Sequence, residues 1–142
     1  MRPTQQPIGL HLARTAKVVS RAFNDALTAA DGSLPSWLIL LSLKTRTPAA
    51  QSELAEAIGI RDATLTHHLN AMDAGGLVIR HRDSTNRRIQ QVALTEAGEA
   101  TFQRMRRAAY AFDQQLRAGL SDSDLAAARR ILDRLRDNAA GD

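Results

Sequence analysis

Apolar residues recur at helical spacing along most of this chain, and the breaks in that spacing mark its elements. Over 8–30, Leu12, Ala16, Val19, Phe23 and Leu27 form one stripe, and Asp31-Gly32 ends it. Ser33 can cap the next helix, and Pro35 sits near its first turn, where the missing N–H costs nothing. The helix predicted over 34–44 carries Leu34, Trp37, Leu38, Leu40, Leu41 and Leu43. It is apolar nearly all round, which predicts a central buried position. The stretch 45–50, with Pro48, reads as a loop.

The segment QSELAEAIGIRDATLTHHLN, 51–70, reads as two short helices joined by a tight turn. Leu54 and Ile58 stack one turn apart, and Gly59 follows where a left-handed cap is needed. Small Ala55 lets the two helices approach, and Ile60 fills the corner. Asp62 is expected to open the second helix, in which Leu65, Leu69 and Met72 fall at i, i+4 and i+7. Opposite that stripe lie Ala63, Thr64, Thr66, His67 and Asn70. Short uncharged donors and acceptors suit a face that approaches base-pair edges, so the pattern is that of a helix-turn-helix.

Gly75-Gly76 breaks the second helix. The runs 77–83 and 88–94 have strand character, with Ile89 and Val92 β-branched, and 84–87 is a polar turn between them. This hairpin holds Arg80, Arg82, Arg87 and Arg88 against a single Asp83, as expected of a wing that lays arginine on phosphates or in a minor groove. Thr95 caps a long helix with Glu96 and Glu99 in its first turn; Phe102, Met105, Ala109, Phe112 and Leu116 continue its stripe, and Gly119 closes it. Ser121 and Asp124 suggest a capping box for a last helix over 122–137 bearing Leu125, Ala128, Ile131, Leu132 and Leu135. Residues 1–7 read as a loose arm.

Composition narrows the classes. The 142 residues are enough for one domain with a real core, and no internal repeat or second domain is evident. The formal charge of +4 comes mostly from arginine, with Lys17 and Lys44 the only lysines, and favours an anionic partner. Without cysteine, disulfides, thiolate metal sites and thiol redox sensing are excluded. The longest apolar run, 37–41, is too short to span a membrane and no signal-peptide core is evident, so a cytoplasmic protein is expected. His11, His67, His68 and His81 are dispersed, so no metal site is expected, and no cofactor motif is present. No nucleophile, base and acid arrangement supports catalysis.

From SELAEAIGI through ATLTHHLNAMDAGGLVIRHRD to NRRIQQVALTEAG, the chain resembles the MarR-type winged-helix transcriptional regulators. The ending Leu94-Thr95-x-x-Gly98 after an arginine-rich wing is the most particular part. The resemblance implies a mainly α fold with a small β-hairpin. The whole of 1–142 would form a single domain, with a winged helix-turn-helix over 34–94 flanked by dimerisation helices over 8–30 and 96–138. It further implies a homodimer on pseudo-palindromic double-stranded DNA, usually a repressor, released by a small aromatic or anionic effector. Two departures stand out. Many relatives carry Asp-Arg-Arg in the wing, where this chain has Asn86-Arg87-Arg88, so the steadying intramolecular ion pair is lost. Relatives often have arginine where His67 stands.

The expected DNA contacts are therefore Thr64, Thr66, His67 and Asn70 on the helix and Arg82, Arg87 and Arg88 on the wing. Arg104, Arg106 and Arg107 read as a solvated or partner-facing surface. His68 lies on the flank of the apolar stripe, and the plain reading is a core-edge histidine bonded to a backbone carbonyl. The resemblance puts an effector pocket where the first two helices meet the long helix and the wing base. Its wall would be Phe23, Trp37, Leu41 and Met105, with Arg14 and His68 as polar anchors, although at helical spacing among leucines Phe23 and Trp37 are more often plain core. The alternative function is a winged-helix protein-interaction module that has lost specific DNA binding and docks an acidic partner.

Overall fold

The computed structural model describes residues 5–141, so the first four residues of the expected N-terminal arm lie outside the described part. The chain runs α1 (Ile8–Thr28), α2 (Leu34–Arg46), β1 (Ala49–Ala50), α3 (Gln51–Ile58), α4 (Asp62–Ala74), β2 (Val78–Arg82), β3 (Gln90–Leu94), α5 (Glu96–Leu116) and α6 (Asp122–Ala140). It divides into two compact units, one up to Ala109 and one from Tyr110 onward.

The first unit is built on α2. Its near-continuous apolar surface buries Trp37, Ile39, Leu40 and Leu43 among Leu27 of α1, Leu54 of α3, Leu65 and Leu69 of α4, and Val78 and Val92 of the sheet. Leu41 is the exception on this helix, at 42% exposure. Ser33 caps α2 as expected, and Ser36 returns the bond in a reciprocal box. The Asn24 side-chain oxygen accepts from the Leu34 amide at 3.0 Å, which fixes α1 to the start of α2. Trp37 stacks on Phe102 of α5 with ring centroids 5.3 Å apart.

The sheet has three antiparallel strands in the order β1-β3-β2. β2 and β3 are the expected hairpin, but shorter than the sequence predicted, and the turn between them is longer. Their register pairs Val78 with Leu94 and Arg82 with Gln90. β1 corrects the loop expected over 45–50, because Ala49 pairs with Val92 and Ala50 with Gln91. Two residues are too few to show a strand periodicity. They are recognisable only by burial, since both alanines are almost fully enclosed.

Helix boundaries also move. α1 ends at Thr28 and α2 continues to Arg46. The residue preceding α4 is Arg61, with no side-chain cap bond, so Asp62 is its first helical residue rather than its cap. There its carboxylate still lies at the positive end of the helix dipole.

Thr95 begins α5 as expected. Its hydroxyl oxygen accepts from the Gly98 amide at 2.9 Å and its proton goes to the Gly76 carbonyl at 2.6 Å, tying the helix to the turn after α4. Gly98 is buried against the wing base. A Cβ there would collide with the Leu77 carbonyl oxygen and lie 2.7 Å from a Leu94 methyl.

In the second unit, Ser121 and Asp124 cap α6 reciprocally, and the Ser121 amide and hydroxyl hold the Asp124 carboxyl below its ordinary range. Arg117 pairs with Asp113 at 3.4 Å and Asp122 at 3.8 Å. α6 runs to Ala140, beyond the end predicted near residue 137, because the following Ala139 and Ala140 are strong helix formers; Gly141, left-handed at φ 73°, stops it. No residue of α6 is buried.

Candidate nucleic-acid interface

The corner between α3 and α4 is set by Gly59, left-handed at φ 79°, with the Gly59 and Ile60 amides both returning to the Ala55 carbonyl. Leu65, Leu69 and Met72 anchor α4 on the core, which leaves Ala63, Thr64, His67 and Asn70 exposed on the opposite side. Thr66 is half-buried. Its hydroxyl donates to the Asp62 carbonyl at 2.9 Å and accepts from the Gln51 side-chain amide at 2.7 Å. His68 is also half-buried, and its ring meets that of His67 edge-on with centroids 5.7 Å apart. The backbone-carbonyl bond expected of His68 is not formed among the described residues.

On the wing, one carboxylate organises the turn. Asp83 accepts from the Thr85 amide at 2.8 Å, the Thr85 hydroxyl at 2.7 Å, the Asn86 amide at 3.2 Å and the Gln91 side chain at 3.0 Å. The bonds from Thr85, led by its hydroxyl, hold the Asp83 carboxyl at about 2, with Gln91 and Asn86 adding to the effect. Asn86 accepts from the Arg88 amide, and Arg82 donates to the Arg87 carbonyl at 3.2 Å. With Asp83 thus saturated by neutral donors, the exposed Arg87 and Arg88 guanidinium groups have no carboxylate partner among the described residues. Arg80 differs. It is 20% exposed and paired with Asp73 near the end of α4 at 3.1 Å, so it fastens the wing to that helix.

Between these elements lies an open cleft of about 460 Å³, lined among others by Gln51, Ser52, Thr66, Arg80 and Arg88. Thr66 and Arg88, expected from sequence, are thereby brought together, while Thr64, His67 and Asn70 project from α4 outside this lining. Gln51, Arg80 and Asp83 were not singled out as site residues. An aspartate followed by Ser-Thr-Asn is a turn-forming signal that points to Asp83, whereas the Gln51 to Thr66 bond leaves no mark in the sequence.

The residues expected at the effector wall differ in their surroundings. Trp37 and Met105 are enclosed in the core, Phe23 is packed half-buried against it, and Leu41 is exposed. Arg14 is exposed on α1, and none of the six residues lines any cleft described here. Among the described residues no cluster of three or more His, Asp or Glu is placed to hold a metal ion, and no helix is long and apolar enough to cross a membrane.

The family model described as the MarR family matches residues 33–90, which span α2 through the wing turn. Residues 33–90 are thus similar to the MarR family. The fold extends the likeness beyond that segment. The chain is similar to the Rhodococcus jostii transcriptional repressor CouR bound to a 23-mer DNA duplex, at 24% identity over 92% of each chain and a TM-score of 0.85. It is similar to a MarR mutant from E. coli complexed with operator DNA, at 21% identity, 91% of this chain, 93% of that one and a TM-score of 0.83. Bordetella bronchiseptica BpsR, whose DNA binding is regulated by 6-hydroxynicotinic acid, matches at 20% identity, 96% of this chain, 98% of that one and a TM-score of 0.84. At these identities the likeness is one of fold.

Acid should loosen the wing before the core. Asp83 titrates near 2 in the folded chain against 3.8 ordinarily. A carboxyl whose folded value is depressed contributes stability above its unfolded value and loses it as pH falls through the folded one. Between pH 3.8 and about 2, the Thr85 and Asn86 amides should lose hydrogen-exchange protection while Leu65 and Leu69 keep theirs. Simultaneous loss at all four positions would refute a local role for Asp83.

Proposed function

We propose that this chain is a sequence-specific DNA-binding transcription regulator acting as a homodimer, most simply a repressor. The observation that carries the reading is the combination of an uncharged polar face on α4 with a wing tip whose Arg87 and Arg88 lack carboxylate partners among the described residues. Thr64, His67 and Asn70 are the proposed base-edge contacts, while Arg82, Arg87 and Arg88 supply attraction to the backbone or minor groove. A wing evolved to dock an acidic protein would not require its arginines at the hairpin tip. The DNA duplexes bound by CouR and MarR support the same reading.

Assembly follows from exposed apolar surface. α1 leaves Ile8 63% and Val18 71% exposed, and the second unit leaves Ile131 50% and Leu132 49% exposed, which favours a second copy as their cover. Two copies also match two half-sites about one helical turn apart. Because Ile131 and Leu132 are not core residues of the single chain, replacing both with aspartate should leave the helices intact and yield a monomer in sedimentation equilibrium. An unaltered dimer would refute this interface.

The effector is proposed as a small aromatic acid, the class that regulates BpsR. Trp37 and Met105 are packed in this structure, so a ligand seated against them, paired with Arg14 or His68, has to open that contact and favour a form misspaced for DNA. The deciding experiment is selection from random duplexes followed by a salt titration of the enriched site. A defined motif and a steep fall of affinity with salt are expected. No motif and no salt dependence would leave the protein-interaction reading.

A further inference from the structure

We propose that Arg80 grips a backbone phosphate of the bound duplex, with Asp73 as the residue that aims it. This rests on the DNA-binding reading above and adds a contact behind the wing tip, on the α4 side of the hairpin. Residues two apart in a strand share a face, so Arg80 stands in one row with Val78, and it is paired across the sheet with Val92. Both valines are buried, which turns that row towards the protein. Ile79 and His81, on the other face, are exposed.

The guanidinium of Arg80 is only partly used. It has five N–H donors, one on Nε and four on the two Nη atoms. The Nε–H donates to Asp73 Oδ2 at 3.1 Å, and no Nη bond is formed among the described residues. No buried side-chain nitrogen or oxygen among them lacks a partner, so both Nη groups reach solvent although the side chain is largely enclosed. They open at the cleft that Arg80 lines beside Thr66 and Arg88. Two arginines stand on that lining against one carboxylate, Asp62, so its charge favours an anion.

An arginine free on a surface gives up rotamer freedom when it binds. Arg80 has already given it up, in its bond to Asp73, which makes Asp73 a positioning residue for Arg80. Asp73 offsets part of the charge and leaves direction: a planar set of N–H groups at an opening, matched to the oxygens of a phosphate. The opening lies between α4 and the wing, where the backbone runs beside a helix seated in the major groove. Free phosphate offers the same oxygens, so the two sources have to be separated.

The test uses the full-length protein and a duplex chosen by selection, in which phosphates are replaced one at a time by neutral methylphosphonates. One replacement should weaken the unaltered protein about tenfold and leave Arg80→Gln unaffected. Arg87→Ala and Arg88→Ala should stay sensitive at that position. Asp73→Ala keeps the guanidinium and removes its anchor, so it should lose part of the sensitivity there and at no other phosphate. Losses of stability or of overall affinity common to Asp73→Ala and Arg80→Gln measure the brace between wing and helix, and only the position-specific loss measures the contact. In the unaltered protein the Arg80 Nη–H signals should shift on adding the duplex, and much less with the methylphosphonate at that position, a readout that needs no variant to fold. Millimolar inorganic phosphate at constant ionic strength should change neither those signals nor DNA binding.

A loss in Arg80→Gln that runs parallel across every replacement would leave Arg80 a brace alone and overturn the proposal. Unchanged sensitivity in Asp73→Ala would remove the positioning role. A saturating response to inorganic phosphate would assign the cleft to a soluble anion and not to DNA. Failure of the unaltered protein to enrich any motif would instead refute the DNA-binding reading itself, so the failures are distinguishable.

Discussion

Alanine at Gly98 is expected to lower stability by about 3 kcal/mol and the melting temperature by roughly 10 °C. Two effects compete. Within a helix, Gly→Ala alone stabilises by up to about 1 kcal/mol through backbone entropy. Against it, the new Cβ would run into the Leu77 carbonyl oxygen and a Leu94 methyl at 2.7 Å. The leucine methyl can rotate away, but the carbonyl cannot. It accepts from the Thr95 amide at 3.1 Å, so moving it breaks the bond that starts α5 beside the wing base. Overpacking against fixed backbone wins. Thermal unfolding of Gly98→Ala beside a control such as Ala97→Gly checks the sign, and a stabilised Gly98→Ala would mean that the close approach is not rigid.

The second large effect belongs to the wing tip. Removing both Arg87 and Arg88 should cost about 3 kcal/mol of DNA binding at low salt, near 1.5 for each charged contact. The slope of log affinity against log salt should fall by about two units, since each lost phosphate contact releases about one counterion fewer. Both arginines count because Asp83 is satisfied by Thr85, Asn86 and Gln91 and captures neither. Restoring a carboxylate with Asn86→Asp should therefore recapture one guanidinium and lower the slope by about one unit. A double alanine variant with the parent slope would remove the wing from the interface.

These two sites mark how much could be read from the sequence. The helix-turn-helix was legible because its determinants are local and repeated, with Leu54 and Ile58 on one helix, Leu65, Leu69 and Met72 on the other, and Gly59 at the corner. Gly98 was legible as part of a motif, but its reason, the Leu77 carbonyl beneath it, was not. β1 was invisible, since two alanines have no period and their partner lies more than forty residues on. The same holds for Gln51 with Thr66 and for Arg80 with Asp73, pairs made by tertiary placement. The different surroundings of Leu41, which is exposed, and Trp37, which is enclosed, have a related reason. Periodicity says that a face is apolar, and it does not say whether that face is filled.

β1 has a mechanical consequence. Because Ala49 and Ala50 are bonded to β3 and are followed at once by α3, the middle strand of the wing is also a handle on the first helix of the corner. A load on the hairpin would be carried through Ala50 to Gln51, where α3 begins. Wing and corner are thus joined through backbone, so a displacement of the hairpin would be felt at the first residue of α3.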